Sequence, residues 1–282
     1  MICEWNGKKY MRMGECNRCG ACCLGGWKKP CPNAEILPDY TIRCKLWDKL
    51  GKQDDREVLE TCGVLTSRCR DFPHVPPDLF TAEIRNKCDY YFVEIERILV
   101  TCPVHECKEY SFQKWIDAVK SLTYPNYEIF VVDNSPSLDF MNRYKDQVPM
   151  EHIEVDQSIP VNRITKSMEV IRQKFLKGDY DRWFNIECDV IAPPNTIEVF
   201  LENGKGVDWI GHAYPTRGSD QKLQSSSGIG CSMFTKKLME NYNFDEADRE
   251  SPDCWLWDRV RGDRRFKTME LWNYLETKHL DK

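Results

Sequence analysis

Two groups of side chains in this chain have the types and spacing to do chemistry. The first is Glu187-Cys188-Asp189, which closes the apolar run Arg182-Trp183-Phe184-Asn185-Ile186 and precedes Val190-Ile191-Ala192-Pro193-Pro194. Residues two apart on an extended strand project to the same side, so these carboxylates can face one ion together. A hard divalent cation, Mn2+ or Mg2+, takes oxygen ligands and keeps positions open for phosphate. An acidic pair at a strand end can equally do no more than face water. The second group is Cys16-x2-Cys19-x2-Cys22-Cys23, followed by Cys31-Pro32, Cys44, Cys62 and Cys69-Arg70-Asp71-Phe72-Pro73. Thiolates this close, on a loop containing Gly20, can converge on one centre. Zinc takes four such ligands and so does a 4Fe-4S cluster, which leaves the metal open. The metal would either hold a small module together or serve redox, sensing or substrate chemistry.

The elements that must position the acidic pair can be read from hydrophobic periodicity. Ile98 to Pro103 reads as a buried strand, and Phe112, Trp115, Ile116, Val119 and Leu122 follow at helical spacing. Tyr127 to Asp133 is the next strand, and Ile153-Glu154-Val155 suggests another. Ile164, Met168, Ile171 and Phe175 mark a long helix ending near Gly178, and Tyr180 to Ile186 is the strand carrying the pair. Asn195 and Glu198 then have the positions of an N-cap and its capping-box partner. Strand and helix alternating in this way imply an α/β domain, a mostly parallel sheet covered by helices. Ligands of such sheets lie beyond the carboxyl ends of the strands, where Thr101-Cys102-Pro103, Asp133-Asn134-Ser135 and Glu187-Cys188-Asp189 all fall.

The 282 residues suffice for two domains, and ten of the fifteen cysteines lie between Cys3 and Cys88. That shift in composition divides the chain into a cysteine-rich module, 1–96, and a larger domain, 97–282. A formal charge of −5, with 15 basic and 15 acidic residues up to position 96 and 25 against 30 beyond it, gives neither part a general attraction for nucleic acid. The first residues carry no signal-peptide core, and no apolar run reaches a transmembrane length. The expectation is a cytoplasmic protein whose cysteines bind metal rather than form disulfides.

From Cys16 to Pro73 the chain resembles a bacterial and archaeal family of cysteine-rich zinc- or iron-chelating domains with the pattern CxxCxxCC, CP, a further cysteine and CRxFP. This sequence adds Cys62 and lengthens the connection from Cys44 to Cys69. Residues 97–282 resemble a GT-A glycosyltransferase of the family 2 type. The resemblance rests on Ile98 to Val104, on Val131-Val132-Asp133-Asn134-Ser135, on Phe184 to Pro194, on Gly228-Ile229-Gly230-Cys231-Ser232-Met233-Phe234, and on Ser251 to Asp258. Glu187 stands where the first Asp of a DXD motif is usual, and Pro252 where the acidic partner of Asp253 is usual.

The resemblance implies a Rossmann-like sheet and a nucleotide-sugar donor, with the sugar passing to a glycan, lipid-linked or protein acceptor. It implies a divalent cation on Asp189, with Glu187 and His279 beside it, although His279 can also be read as an exposed residue of a terminal helix. Thr101, Pro103 and Asp133 would line the nucleoside pocket, while Asp133 can instead cap its own turn. Arg163 and Lys166 would reach the diphosphate or remain solvated. Asp253, at a helix start, is either the base of an inverting transfer or a cap. A nucleotidyltransferase would need a glycine-rich loop after the first strand, and Cys102-Pro103-Val104-His105-Glu106 has none. A GT-A scaffold without chemistry, used for binding or sensing, is the reading from outside enzymology.

Overall fold

The computed structural model describes residues 94–214, 228–247, 250–272 and 274–280, together with strand backbones at 2–5, 8–13, 34–36, 42–44 and 91–93. The chain divides into two compact units, Met1–Ile95 and Glu96–Lys282. In the first, β1 (Ile2–Trp5) pairs antiparallel with β2 (Lys8–Met13). β3 (Ala34–Ile36) and β4 (Ile42–Cys44) form a second antiparallel pair. β5 (Tyr91–Glu94) completes the first sheet on the free side of β2. The backbone of Cys44 ends β4, while the other cysteines expected to bind metal (Cys16, Cys19, Cys22, Cys23, Cys31, Cys62 and Cys69) lie outside the described residues.

The second unit begins with β6 (Ile98–Val104), α1 (Glu109–Lys120), β7 (Tyr127–Asp133), α2 (Asp139–Tyr144), β8 (Met150–His152) and α3 (Pro160–Lys177). It continues through β9 (Arg182–Ile186), β10 (Val190–Ile191), α4 (Thr196–Asn203), β11 (Trp209–His212) and β12 (Cys231–Thr235). α5 (Lys236–Asn241), α6 (Pro252–Val260), β13 (Thr268–Leu271) and β14 (Lys278–His279) close it. Seven of these strands form one sheet in the order β13-β11-β12-β9-β6-β7-β8. Only β12 runs against its neighbours β11 and β9; every other pairing in the sheet is parallel. The fold is thus α/β, a mixed and mostly parallel sheet flanked by helices.

Alternation along the strands sorts the core onto two faces. Leu99, Phe130, Val132, Trp183 and Phe234 pack with Met168, Ile171 and Phe175 of α3, Leu238 of α5, and Trp255 and Leu256 of α6. On the other face Phe184 meets Phe200 of α4, and Trp115 of α1 donates its indole N–H to the Ile186 carbonyl at 3.2 Å. Trp115, Trp183, Trp209 and Trp255 are all fully buried. Each such side chain contributes about 2 to 3 kcal/mol of burial free energy, and their number explains why the sheet is specified so firmly.

Local differences from the sequence expectations have simple causes. The strand expected at Ile153 to Val155 closes earlier, at His152, because register with β7 ends where Asp133 pairs with His152. Asn195 is the N-cap residue of α4 but makes no capping bond; Glu198 instead accepts the Thr123 hydroxyl at 2.8 Å. His279 lies on β14, not on a helix. No helix among the described residues is long and apolar enough to cross a membrane.

The chain leaves β6, builds β7 and β8 on one side, and then returns to place β9 on the other. The order therefore reverses between β6 and β9, and it is beyond the strand ends at such a switch point that ligands of parallel sheets bind. The sequence delivers its chemistry-bearing residues to this place.

Candidate active site

β9 stops at Ile186, and the chain turns at once: the Val190 N–H donates to the Glu187 carbonyl at 2.9 Å. Glu187 and Asp189 are consequently turn residues, and the same-side geometry of a strand does not hold for them. Their side chains diverge to two neighbouring clusters.

Asp189 is the buried one, with its side chain 1% exposed. Its Oδ2 forms an ion pair with Lys108, and lies 3.3 Å from the Tyr110 hydroxyl and 3.4 Å from His279 Nε2. Each partner comes from a defined element. Lys108 is the residue before α1, with its N–H donating to the His105 carbonyl at 2.8 Å and its carbonyl accepting from Ser111 at 2.9 Å. His279 is brought over the turn by β14, which pairs with β10 through Val190 and is fastened by the Leu280 N–H on the Asp189 carbonyl at 2.8 Å. A buried carboxylate needs such partners, because an uncompensated charge out of water is costly.

The second cluster surrounds the turn Gly228-Ile229-Gly230. Asn185 fixes this turn by donating to the Ile229 carbonyl at 2.8 Å, and the Glu187 N–H donates to the Gly230 carbonyl at 2.8 Å. A Cβ added at Gly230 would collide with the Tyr214 hydroxyl and lie 2.9 Å from the Glu187 carboxyl carbon. A Cβ at Gly228 would lie 3.6 Å from Asp253 Oδ2 and 3.9 Å from the Tyr214 hydroxyl. Glycine at 230 is thus what allows Glu187 and Tyr214 to approach each other, whereas at 228 a Cβ would make only ordinary contacts with Asp253 and Tyr214. Asp253 sits in the first turn of α6, where Oδ1 accepts the Ser251 hydroxyl.

The two clusters share one electrostatic field. Burial, and then the charges of Glu187, Asp189 and Asp253, push the Tyr214 hydroxyl far above its ordinary range. It therefore stays protonated and able to donate, and its ring lies 5.7 Å from that of His279. The thiols beneath behave likewise. Burial, a hydrogen bond with Cys188 and the nearby Glu187 and Asp189 raise the Cys102 thiol, while burial and Glu187 raise Cys231. Both are un-ionised thiols and neither has the thiolate character of a nucleophile.

The other residues expected at the site occupy varied places. Thr101 is fully buried, accepting from Trp183 at 2.5 Å and donating to Asn185 at 3.1 Å, so it braces β6 against β9 from below. Pro103 is partly exposed on the rim. Asp133 is fully buried, with Oδ1 accepting the Ser135 N–H at 3.0 Å and the Ser135 hydroxyl at 2.5 Å, and Oδ2 lying 3.0 Å from His152 Nδ1. Through the bonds to Ser135 this carboxylate caps its own turn. Arg163 donates to the Gln157 carbonyl at 2.9 Å, and Gln157 in turn donates to the Asn134 carbonyl at 3.0 Å and lies 3.3 Å from His105. Arg163 therefore stands on the rim. Lys166 does not, because it pairs with Asp245 at 2.5 Å on an exposed surface.

Whether these residues suit the expected divalent cation can be judged from their geometry. Asp189 and His279 meet, but Glu187 turns toward Gly230 and Tyr214, and an ammonium already neutralises Asp189. Among the described residues no group of three or more His, Cys, Asp or Glu is arranged to hold a metal ion. The set does not fit a carboxylate-held Mn2+ or Mg2+, and the i, i+2 spacing misled because the strand ends one residue before the pair.

Lys108, Tyr110, Tyr214, His152 and Gln157 were not singled out from sequence. Only Lys108 had a usable signal there, as a cation in the turn between the first strand and its helix.

No protein-family model matches this chain, and no curated protein matches it. Among solved structures, S. aureus TarS is similar at 13% identity over 63% of this chain and 35% of its own, with a TM-score of 0.47. TarS 1-349 in complex with UDP-GlcNAc is similar at 13% identity over 51% of this chain and 47% of its own, with a TM-score of 0.40. A Desulfovibrio desulfuricans G20 protein described as a nucleotide-diphospho-sugar transferase is similar at 14% identity over 63% of this chain and 80% of its own, with a TM-score of 0.39. This chain spans about a third of TarS. Every one of these TM-scores is below 0.5, so the architecture above is read from strand order and register alone.

Proposed function

We propose that residues 97–282 transfer a sugar from a nucleoside-diphosphate donor to an acceptor hydroxyl, with inversion at the anomeric carbon. The observation that carries this reading is the meeting of two unlike clusters at the switch point of a parallel sheet. Lys108 and His279 gather on Asp189, while Asp253, Tyr214 and Glu187 face one another across Gly228 and Gly230. Displacement at an anomeric carbon needs this division, a base on the acceptor side and positive charge on the leaving-group side.

In this mechanism Asp253 takes the proton of the acceptor hydroxyl as its oxygen bonds to the anomeric carbon. Tyr214, held protonated, donates a hydrogen bond at the reacting centre and keeps Glu187 and Asp253 apart in charge. Asp133 does not touch the nucleoside; with Ser135 and His152 it holds the strand-end turn against which Pro103 and Arg163 line the donor pocket. The acceptor, whether glycan, lipid-linked or protein, supplies only the hydroxyl in this scheme. The cysteine-rich unit carries zinc or a 4Fe-4S cluster on a subset of Cys16, Cys19, Cys22, Cys23, Cys31, Cys44, Cys62 and Cys69, a proposal supported by their density and spacing.

Asp253→Asn tests the assignment of the base. Turnover should fall by about a hundredfold or more, the usual worth of a positioned base, while the affinity for nucleoside diphosphate is unchanged. A variant with wild-type turnover would remove Asp253 from the reaction.

A further inference from the structure

The pairing of Lys108 with Asp189 carries a consequence for the leaving group. A diphosphate departing from the anomeric carbon gains negative charge, and that charge must be met within the site. At the position where a divalent cation would be sought, the carboxylate is 1% exposed and already bound by the side chain of Lys108, itself 26% exposed. The Lys108 side chain is thus the more exposed member of a pair whose carboxylate is buried. Its backbone is fixed on both sides by His105 and Ser111, and Asp189 is further held by Tyr110, His279 and Leu280. A metal ion placed on the same carboxylate oxygen would have to displace this cation or share the oxygen with it, against charge repulsion.

We propose that the Lys108 ammonium, seated on Asp189, takes the part of the divalent cation, so that the transfer proceeds without metal. This rests on the transferase reading of the same site. The acceptor oxygen forms its bond to the anomeric carbon as Asp253 takes the acceptor proton. The bond from the anomeric carbon to the diphosphate oxygen breaks with its electron pair, and the nucleoside diphosphate leaves as an anion hydrogen-bonded to Lys108, which keeps its own protons. An ammonium has three donors, so one side chain can bond to Asp189 and to a phosphate oxygen together. Lys108 is then a catalytic residue, and Asp189 sets its place.

The test is calorimetric binding of UDP, GDP and dTDP to the full chain, each in excess EDTA and in excess Mn2+, for wild type, Lys108→Ala and Lys108→Arg. The EDTA must not extract metal from the cysteine-rich unit, so the thermal melt of wild type is compared with and without it. At least one diphosphate should bind wild type in EDTA, and Mn2+ should change its Kd by less than about threefold. Lys108→Ala should weaken that binding by about tenfold or more, the worth of a charge-assisted hydrogen bond. Lys108→Arg, which keeps the charge on Asp189 if the alanine variant folds poorly, should lose less. Binding seen only with Mn2+, or equal affinity of Lys108→Ala and wild type in EDTA, overturns the metal-free proposal and leaves the transferase reading standing. Absence of binding by every diphosphate in both conditions brings down both.

Discussion

In the proposed mechanism Gly230 is the position where two site side chains come closest to the backbone. Its missing side chain is where the Tyr214 hydroxyl and the Glu187 carboxylate come together, 2.9 Å from a Cβ to the Glu187 carboxyl carbon. The Glu187 carboxylate ends a flexible side chain, but the Tyr214 hydroxyl moves only with its ring, so Gly230→Ala should cost some stability and displace both groups of the proposed site. We expect a fall in turnover of about tenfold to a hundredfold, typical of small misplacements at a reacting centre. Thermal melts and steady-state kinetics on the same samples separate the two effects; a large loss of stability with normal turnover per folded molecule would contradict this account. The residues themselves were unevenly legible. Asp189, His279 and Asp253 could be picked out by type and position, Lys108 only as a cation in the turn after the first strand, and Tyr110 and Tyr214 not at all. The last three arrive from a helix start, a helix and a strand exit, and nothing local in the sequence says that those segments meet.

The alternation of strands and helices was legible because apolar residues dominate the strands of a buried sheet: Ile98 to Val100 and Val131 to Val132 are fully buried and read as such. The exact end of β9 was not. The apolar run stops at Ile186, yet extended geometry could have continued for three residues; what ends it is the turn bonding of Val190 to Glu187, a contact that composition does not announce. At this scale β11 offers a pH test. His212, paired within the sheet to Leu271, is 1% exposed with neither ring nitrogen hydrogen-bonded, and burial lowers its pKa to about 4. Above about pH 6.5 it is neutral in both folded and unfolded chains, and its contribution to stability is complete. As pH falls from about 6.5 to about 4 the unfolded chain takes up the proton first, so stability declines by at most about 1.4 kcal/mol per pH unit. Urea denaturation of wild type and His212→Phe across that window should show a shallower decline for the variant. Parallel curves would mean that His212 is not a buried neutral group.

For the molecule as a whole, the chain divides into two compact units, Met1–Ile95 and Glu96–Lys282, and in the proposed reading thiols bind metal in the first while carboxylates serve transfer in the second. Elemental analysis of anaerobically purified protein should find close to one equivalent of zinc, or iron with acid-labile sulfide. Chelation should then lower the stability of the cysteine-rich unit, since metal binding supplies folding free energy in such modules. Protein free of both metals would contradict that assignment while leaving the larger unit untouched. There the α/β sheet, its switch point between β6 and β9, and the clusters on Asp189 and around Gly230 all serve one claim, sugar transfer from a nucleoside diphosphate. The most direct measurement is release of nucleoside diphosphate from a panel of nucleotide sugars by wild type and by Asp189→Ala. The account predicts release from at least one donor by wild type and a loss of about a hundredfold or more in the variant. No release from any donor, or equal release by Asp189→Ala, would contradict it.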